Sequence, residues 1–163
     1  MPAPFGAALV IGGTGMLAAA TRWLADRSGH MMLVARNASR FEANGTITSL
    51  DADWSDPAFR GRITDAIAQV EAIDVCLLWL HRPQPILDWL LPLVPGARSV
   101  IVLGGMDNRP ILPRGVGNAS FVRLGSKASA NGRRWLAHGE ICTAAIGALE
   151  DGRSRIVGEL LPA

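Results

Sequence analysis

The sequence contains no tyrosine, only two cysteines, and a single lysine against fifteen arginines. Without tyrosine, no mechanism of this protein can use a phenol as its proton donor. Cys76 and Cys142 lie far apart within apolar stretches and form no CxxC pair, so we expect both to be reduced core residues of a cytoplasmic protein. The longest apolar run, 75–80, is much shorter than the roughly 20 residues that a membrane helix needs.

Charge of one sign is also not concentrated anywhere in the chain. Arginines and acidic residues are interspersed without a contiguous basic block, and the net charge is only +2, so we expect neither nucleic acid nor a membrane as a partner. The first residues lack the positively charged stretch of a secretion signal, and they are expected to form a first strand. With 163 residues, 49% of them hydrophobic, the chain is predicted to be a single domain spanning residues 1–163.

Short apolar runs alternate with segments of helical spacing over the first hundred residues. Seven strands are predicted, at 7–11, 31–35, 46–50, 73–80, 99–103, 119–124 and 155–160. Helices are predicted at 16–27, 59–70 and 136–150, and a loop at 106–117. This order predicts an α/β fold, a Rossmann-like doubly wound and mostly parallel sheet of about six to seven strands with helices on both faces.

A further helix is expected between Gln84 and Val94. Pro92 lacks a backbone N–H, so this helix is predicted to be short or kinked. Its side chains, including Trp89, are too apolar all round for a helix that faces water. We therefore hypothesise that the protein forms a homo-oligomer through the Gln84–Val94 helix.

A glycine-rich turn separates the first predicted strand from the first predicted helix. It consists of Gly12, Gly13, Thr14, Gly15 and Met16, and from Gly13 to Ala18 it follows the pattern G-x-G-x-x-A. Glycines at this spacing let a diphosphate approach the backbone amides at the start of the helix. The turn therefore predicts a dinucleotide site, although a glycine turn that only connects a strand to a helix is the alternative.

The residues after the second predicted strand indicate which dinucleotide is bound. An NAD site has an acidic residue there, which accepts hydrogen bonds from the adenosine ribose. This chain has Arg36 and Asn37, with Arg40 one turn further on. A guanidinium group matches a 2′-phosphate, so NADP is favoured over NAD. The alternative is an arginine that is simply solvated.

At these residues the chain resembles the short-chain dehydrogenase/reductase superfamily, in particular its small atypical NAD(P)-binding members. The segment 10–17 is similar to the opening motif of the family, and 135–141 resembles the segment that enters its last helix. The resemblance implies a Rossmann fold that binds NAD(P) and an adenine contact at Asp53 and Trp54, after the third strand.

The chain departs from the family pattern where catalysis is expected. Family members carry Asn-x-Gly after the fourth strand, whereas this chain has Leu80, His81 and Arg82. Leu80 and His81 are still expected to line the cofactor site, because ligands of open α/β sheets bind beyond the carboxyl ends of the strands. The family's serine after the fifth strand is replaced by 104–107, and the helix with its Tyr-x-x-x-Lys motif is missing. The usual proton relay therefore cannot be assigned to any residue here.

Other side chains after the strands are candidates for the chemistry. His81 is the best candidate for a general acid, because histidine titrates near neutral pH and this one is expected to face the crevice. The alternative is a loop histidine that hydrogen-bonds to the backbone. Asp107, Asn108 and Lys127 are further candidates, and Asp107 and Lys127 are more readily explained as surface residues. No metal site is expected, because no ligand spacing connects the histidines, His30, His81 and His138.

These features lead to competing functional hypotheses. The first is an oxidoreductase that uses NADP(H) on a small carbonyl or alcohol substrate with a nonstandard catalytic group. The alternative is a catalytically silent NADP(H)-binding protein that senses the cofactor or regulates a partner. A third is a structural protein with a vestigial nucleotide site.

Overall fold

The computed structural model describes residues 4–104 and 109–160. Its strands are β1 (Phe5–Ile11), β2 (Ser28–Ala35), β3 (Ile47–Asp51), β4 (Val75–Trp79), β5 (Arg98–Gly104), β6 (Ala119–Leu124), β7 (Lys127–Ser129), β8 (Gly132–Arg134) and β9 (Arg155–Val157). Seven of them form one sheet in the order β3-β2-β1-β4-β5-β6-β9. Every neighbouring pair in this sheet is parallel, which confirms the predicted Rossmann-like fold.

Helices cover both faces of this sheet. They are α1 (Ala18–Asp26), α2 (Phe59–Ala68), α3 (Pro83–Leu90) and α4 (His138–Asp151). Successive strand residues point to opposite faces, so Leu9 joins the core layer of α2 and α3, while Val10 joins that of α1 and α4. The strands are continuously apolar because both faces are buried. None of the helices in the described ranges has the length and apolar character needed to span a membrane.

Helix α3 is short, as predicted. It ends at Leu90 and the chain continues as a 3₁₀ helix, Leu91–Leu93, which contains Pro92. Most of its large apolar side chains are buried in the chain's own core, and Trp89 packs edge-on against Phe59 with ring centroids 6.3 Å apart. The apolar character of α3 is thus explained within one chain. A homo-oligomer through this helix stays a prediction.

Several boundaries differ from those predicted. Helix α1 begins at Ala18, and Ser28, expected just after its end, already belongs to β2. Helix α2 ends before Val70, although Val70 still packs against the core. Strand β9 ends at Val157, because Gly158 takes a positive φ of 72° and turns the chain. After this turn, Glu159 forms an antiparallel bridge with Ser126.

Two connections flank β6. Residues 109–118 contain no helix, so this described part of the β5–β6 crossover is a loop, as predicted, and the rest of the predicted loop lies outside the described residues. After β6, the strands β7 and β8 form an antiparallel hairpin that was not predicted. Arg133 holds it to the end of β6 by donating from Nη2 to the carbonyl of Ser126 at 2.7 Å.

Candidate functional site

The chain reverses its path across the sheet between β3 and β4. Strands β1, β2 and β3 follow one another toward one edge, whereas β4 lies on the other side of β1. The loops after β1 and β4 therefore diverge and leave a crevice at the carboxyl ends of these strands, where open α/β sheets bind their ligands. The glycine turn follows β1, and His81 follows β4.

Two of the three predicted turn glycines are required by the protein's own packing. Gly12 has a φ of 77°, and a Cβ there would lie 2.4 Å from the carbonyl oxygen of Trp79. A Cβ on Gly13 would lie 2.3 Å from the hydroxyl of Thr21, which donates to the Gly13 carbonyl at 2.7 Å. Gly15 is different, because a Cβ there would meet no atom within 4 Å. Nothing inside the described chain requires a glycine at position 15.

The turn also presents free hydrogen-bond donors. Helix α1 begins at Ala18, and no side chain caps its amino end. None of the backbone amides of residues 14–17 donates to another residue in the described ranges. Unpaired amides at the positive end of a helix dipole form an anion site. The glycine turn can therefore hold a negatively charged group such as a diphosphate.

A cavity of about 350 Å³ opens beside this turn. The predicted site residues on its wall are Gly12, Thr14, Gly15, Met16, Arg36, Asn37, Trp54, Leu80 and His81. Gly13, Arg40 and Asp53 do not line it. The cavity thus runs from the end of β2, past the glycine turn, to the end of β4.

Arg36 and Asn37 are held at the end of β2 by a link to the neighbouring strand. The carboxylate of Asp51, the last residue of β3, accepts from the backbone N–H of Ser39 at 2.8 Å and from its hydroxyl at 2.7 Å. These bonds, with a smaller effect of the charge on Arg40, hold the pKa of Asp51 below its usual value. Arg36, just before this linked segment, lines the cavity, whereas Arg40, just after it, does not.

Asp53 is engaged within its own loop. Its carboxylate accepts from the backbone N–H of Ser55 at 2.9 Å and from the Ser55 hydroxyl at 2.8 Å. These two bonds, and after them the charge on Arg36, keep the pKa of Asp53 below its usual value. Asp53 therefore orders the loop that carries Trp54. The adenine contact that the resemblance implies for Asp53 stays a prediction.

Trp54 and His81 meet across the mouth of the cavity. Their rings are stacked, with centroids 5.2 Å apart and an angle of 21° between the planes. Trp54 is still 45% exposed. Neither ring nitrogen of His81 hydrogen-bonds to any residue in the described part of the chain, so the alternative of a histidine tied to the backbone has no support in the structure. The stack with Trp54 orients the imidazole.

The remaining catalytic candidates lie elsewhere or outside the described residues. Lys127 forms a salt bridge with Glu140 at the start of α4, which is the expected behaviour of a surface lysine. Asp107 and Asn108 fall in 105–108, outside the described residues. Within 4–104 and 109–160, no group of three His, Cys, Asp or Glu side chains is placed to hold a metal ion.

Sequence reasoning missed the apolar part of the cavity wall. These residues are Ile11, Val34, Ala35, Ala52 and Phe59. Most of them lie at or just after the ends of strands, and this position could have indicated that they face the crevice. Their residue types could not, because apolar residues at strand ends are equally expected from core packing. Trp79 also lines the wall; its place at a strand end raised the hypothesis of a contact with the cofactor, although core packing was the preferred interpretation.

Solved structures of short-chain dehydrogenases/reductases share this fold. An enzyme of this family from Burkholderia cenocepacia, in complex with NADP, aligns with a TM-score of 0.66 at 14% identity, covering 98% of this chain and 90% of that one. A family member from Serratia marcescens aligns with a TM-score of 0.63 at 16% identity over 100% of both chains. A 3-oxoacyl (acyl-carrier-protein) reductase from Agrobacterium tumefaciens, with NADP bound, gives 0.62 at 13% identity, with 94% and 93% covered.

The likeness at this level of identity concerns the fold. The chain has the Rossmann fold of short-chain dehydrogenases/reductases. No family model matches the chain, and no curated protein matches it. The function therefore has to be argued from the site itself.

Proposed function

We propose that this protein is an NADP(H)-dependent oxidoreductase of the short-chain dehydrogenase/reductase superfamily that acts on a small carbonyl compound or alcohol. One observation carries the proposal: a single cavity is lined by both the glycine turn and Arg36. The fold supports it, and so do the two similar structures that hold NADP.

The chain offers a matching group for each anionic part of this cofactor. The unpaired amides of residues 14–17 fit the diphosphate, and Gly15 leaves the backbone open to it because nothing stands over its Cα. The guanidinium of Arg36, farther along the same wall, fits the 2′-phosphate.

The same wall favours NADP over NAD. An acidic side chain that accepts from both ribose hydroxyls is the usual feature of an NAD site. Arg36 can only donate, and Asp51, the acidic residue at the end of β3, binds Ser39 and does not line the cavity. The edge of the cavity that would hold the ribose therefore suits a phosphate.

His81 is the group we assign to proton transfer. A bound nicotinamide would supply a hydride to the substrate carbon, or take one from it. In the direction of reduction, His81 donates a proton to the carbonyl oxygen, and in the direction of oxidation it accepts the hydroxyl proton. Its free nitrogens and its position on the cavity wall support this role.

The alternative is a catalytically silent NADP(H)-binding sensor or regulatory protein. The absence of tyrosine favours it, because the usual proton donor of the family has no counterpart in this chain. The stack with Trp54 also favours it, since one face of the His81 ring is covered.

The cofactor assignment is tested by binding. We expect calorimetric titration to give an affinity for NADPH at least about tenfold higher than for NADH, because a charge-assisted contact to the extra phosphate contributes on the order of 1.5 to 3 kcal/mol. Equal affinities for the two dinucleotides would overturn the assignment.

The enzymatic assignment is tested by cofactor oxidation across a set of small aldehydes and ketones. Turnover that is lost in His81→Ala and kept in His30→Ala supports the oxidoreductase, because His30 hydrogen-bonds to Thr48 away from the cavity wall. Tight NADPH binding without turnover on any compound favours the sensor.

A further inference from the structure

A second cavity, of about 420 Å³, adjoins the cofactor crevice. Its wall consists of 81–85 and 109–111, the segments that follow β4 and precede β6. His81 belongs to the walls of both cavities. A molecule in the second cavity would therefore meet the cofactor crevice at the residue that we assign to proton transfer.

The wall of this cavity is held together by Gln84. Its side-chain oxygen accepts from the backbone N–H of Ile111 at 2.8 Å, and its Nε2 donates to the carbonyl of Ile111 at 2.9 Å. The same Nε2 donates to the carboxylate of Asp88 at 2.7 Å. The start of α3 and the loop before β6 are thus joined by a pair of hydrogen bonds, so the concave surface between them is built by the chain itself.

Arginines supply the charge on the described part of this wall. They are Arg82 and Arg109, while residues 105–108, which precede Arg109 and include Asp107, lie outside the described residues. The guanidinium of Arg109 lies over the ring of Phe121, 4.8 Å from its centroid, and Phe121 lines a neighbouring cavity that Arg109 also borders. Neither arginine forms a salt bridge within the described ranges.

The rest of the wall is mainly apolar. Three prolines and Ile111 line it, and none of the described residues on the wall carries a carboxylate. Prolines lack the N–H that would otherwise bind a polar group. The cavity therefore combines two positive charges with a rigid apolar surface, and this combination fits a carboxylate that carries a short apolar body.

We propose that this second cavity binds the substrate, and that the substrate is a small oxoacid or hydroxyacid whose carboxylate is bound by Arg82 and Arg109. This inference rests on the proposed function, because it places the substrate beside the NADP(H) site. It narrows the substrate from any small carbonyl compound to one that carries a negative charge next to a compact apolar group.

The test compares three probes by calorimetry, with and without saturating NADP⁺. These are 4-methyl-2-oxopentanoate, the neutral ketone 4-methyl-2-pentanone, and inorganic phosphate. The oxoacid and the ketone share the same apolar body and carbonyl, so their difference reports the carboxylate. We expect the oxoacid to bind at least about tenfold tighter than the ketone, because a single charge-assisted hydrogen bond from an arginine to the carboxylate is enough for a difference of this size.

Arginine variants identify the binding groups. Arg82→Gln and Arg109→Gln should each weaken the oxoacid about tenfold and leave NADPH affinity unchanged. Arg153→Gln is the matched control, since Arg153 is an exposed arginine on the turn that leads into β9 and lines neither cavity. It should bind the oxoacid as the wild type does.

Three outcomes overturn the proposal. Equal affinity for the oxoacid and the ketone would show that the cavity does not recognise the carboxylate. Wild-type affinity for the oxoacid in both cavity variants would show that the two arginines do not bind it. Tighter binding of phosphate than of the oxoacid would show that the ligand is not an oxoacid or hydroxyacid. If the wild type binds the oxoacid in an arginine-dependent way but does not bind NADPH, the cavity stands and the cofactor assignment fails. If the wild type binds NADPH but binds the oxoacid and the ketone equally well, the cofactor assignment stands and the substrate proposal fails.

Discussion

The indole of Trp54 stacks on the imidazole of His81, with ring centroids 5.2 Å apart. The two residues follow β3 and β4, which are separated in the sheet by β2 and β1. The stack therefore connects two loops across the carboxyl ends of the intervening strands. It orients the one histidine that lines both cavities.

The stack predicts a shift in the NMR spectrum of His81. The ring current of Trp54 should displace the Cε1–H and Cδ2–H resonances of His81, and Trp54→Leu should return them toward the values of an unstacked histidine at the same pH. Trp135→Leu is the control, because Trp135 is also exposed and lines neither cavity. Resonances of His81 that stay in place in Trp54→Leu would contradict the stacked geometry.

Gly15→Ala should weaken the cofactor without weakening the fold. Its Cβ would meet no protein atom and its φ is not positive, so the free energy of unfolding should stay close to that of the wild type. The added methyl group would stand beside the free amides of the turn, so we expect NADPH affinity to fall at least about tenfold.

Gly61→Ala is the matched control for this substitution. Gly61 lies inside α2, where a Cβ also meets no atom within 4 Å. Alanine there should raise the free energy of unfolding by roughly 0.5–1 kcal/mol, as expected for glycine in a helix interior, and leave NADPH affinity unchanged. Wild-type NADPH affinity in Gly15→Ala would argue that the diphosphate does not bind at the turn.

Arg36 and Arg40 should differ in their effect on the cofactor. Arg36 lines the cavity, whereas Arg40 acts on the carboxylate of Asp51 and lies off the cavity. We expect Arg36→Ala to lower NADPH affinity by about ten- to hundredfold and to leave NADH affinity nearly unchanged. Titration of Arg40→Ala with NADPH should show a smaller loss. A larger loss in Arg40→Ala than in Arg36→Ala would assign the 2′-phosphate to Arg40.

The sequence was informative wherever a local pattern decides the structure. Continuously apolar runs such as 99–103 are typical of strands buried on both faces, and β5 lies there. The turn at 12–16 could be predicted because glycines before a helix let an anion approach the backbone amides at the start of that helix. The fold class was predictable for this reason, and so was the position of the glycine turn between β1 and α1.

The rest depends on contacts that no local pattern specifies. Trp54 and His81 belong to loops on strands that are not neighbours, so their stack follows from sheet order and loop length together. The same holds for Gln84 and Ile111, which join the loops of the second cavity. The hairpin β7–β8 was missed because its strands are short, polar and exposed, which leaves no apolar alternation to detect.

Glu140 should make the stability of the protein depend on acid pH. Its carboxylate accepts from Lys127 and Arg134, and these bonds, Lys127 foremost, lower the pKa of Glu140 to about 2 from a usual value of 4.5. A carboxyl group whose pKa is lower in the folded state stabilises the fold above its unfolded pKa and loses that effect as pH falls from about 4.5 toward 2.

Urea unfolding at pH 6 and pH 3 measures this dependence. Wild-type protein should lose more unfolding free energy between these two pH values than Glu140→Gln does, because glutamine has no proton to gain. Glu150→Gln is the control in the same helix, since Glu150 forms no salt bridge within the described part of the chain and its removal should leave the wild-type dependence in place. An equal loss of unfolding free energy in Glu140→Gln and the wild type would show that the ion pairs of Glu140 with Lys127 and Arg134 do not contribute to acid sensitivity.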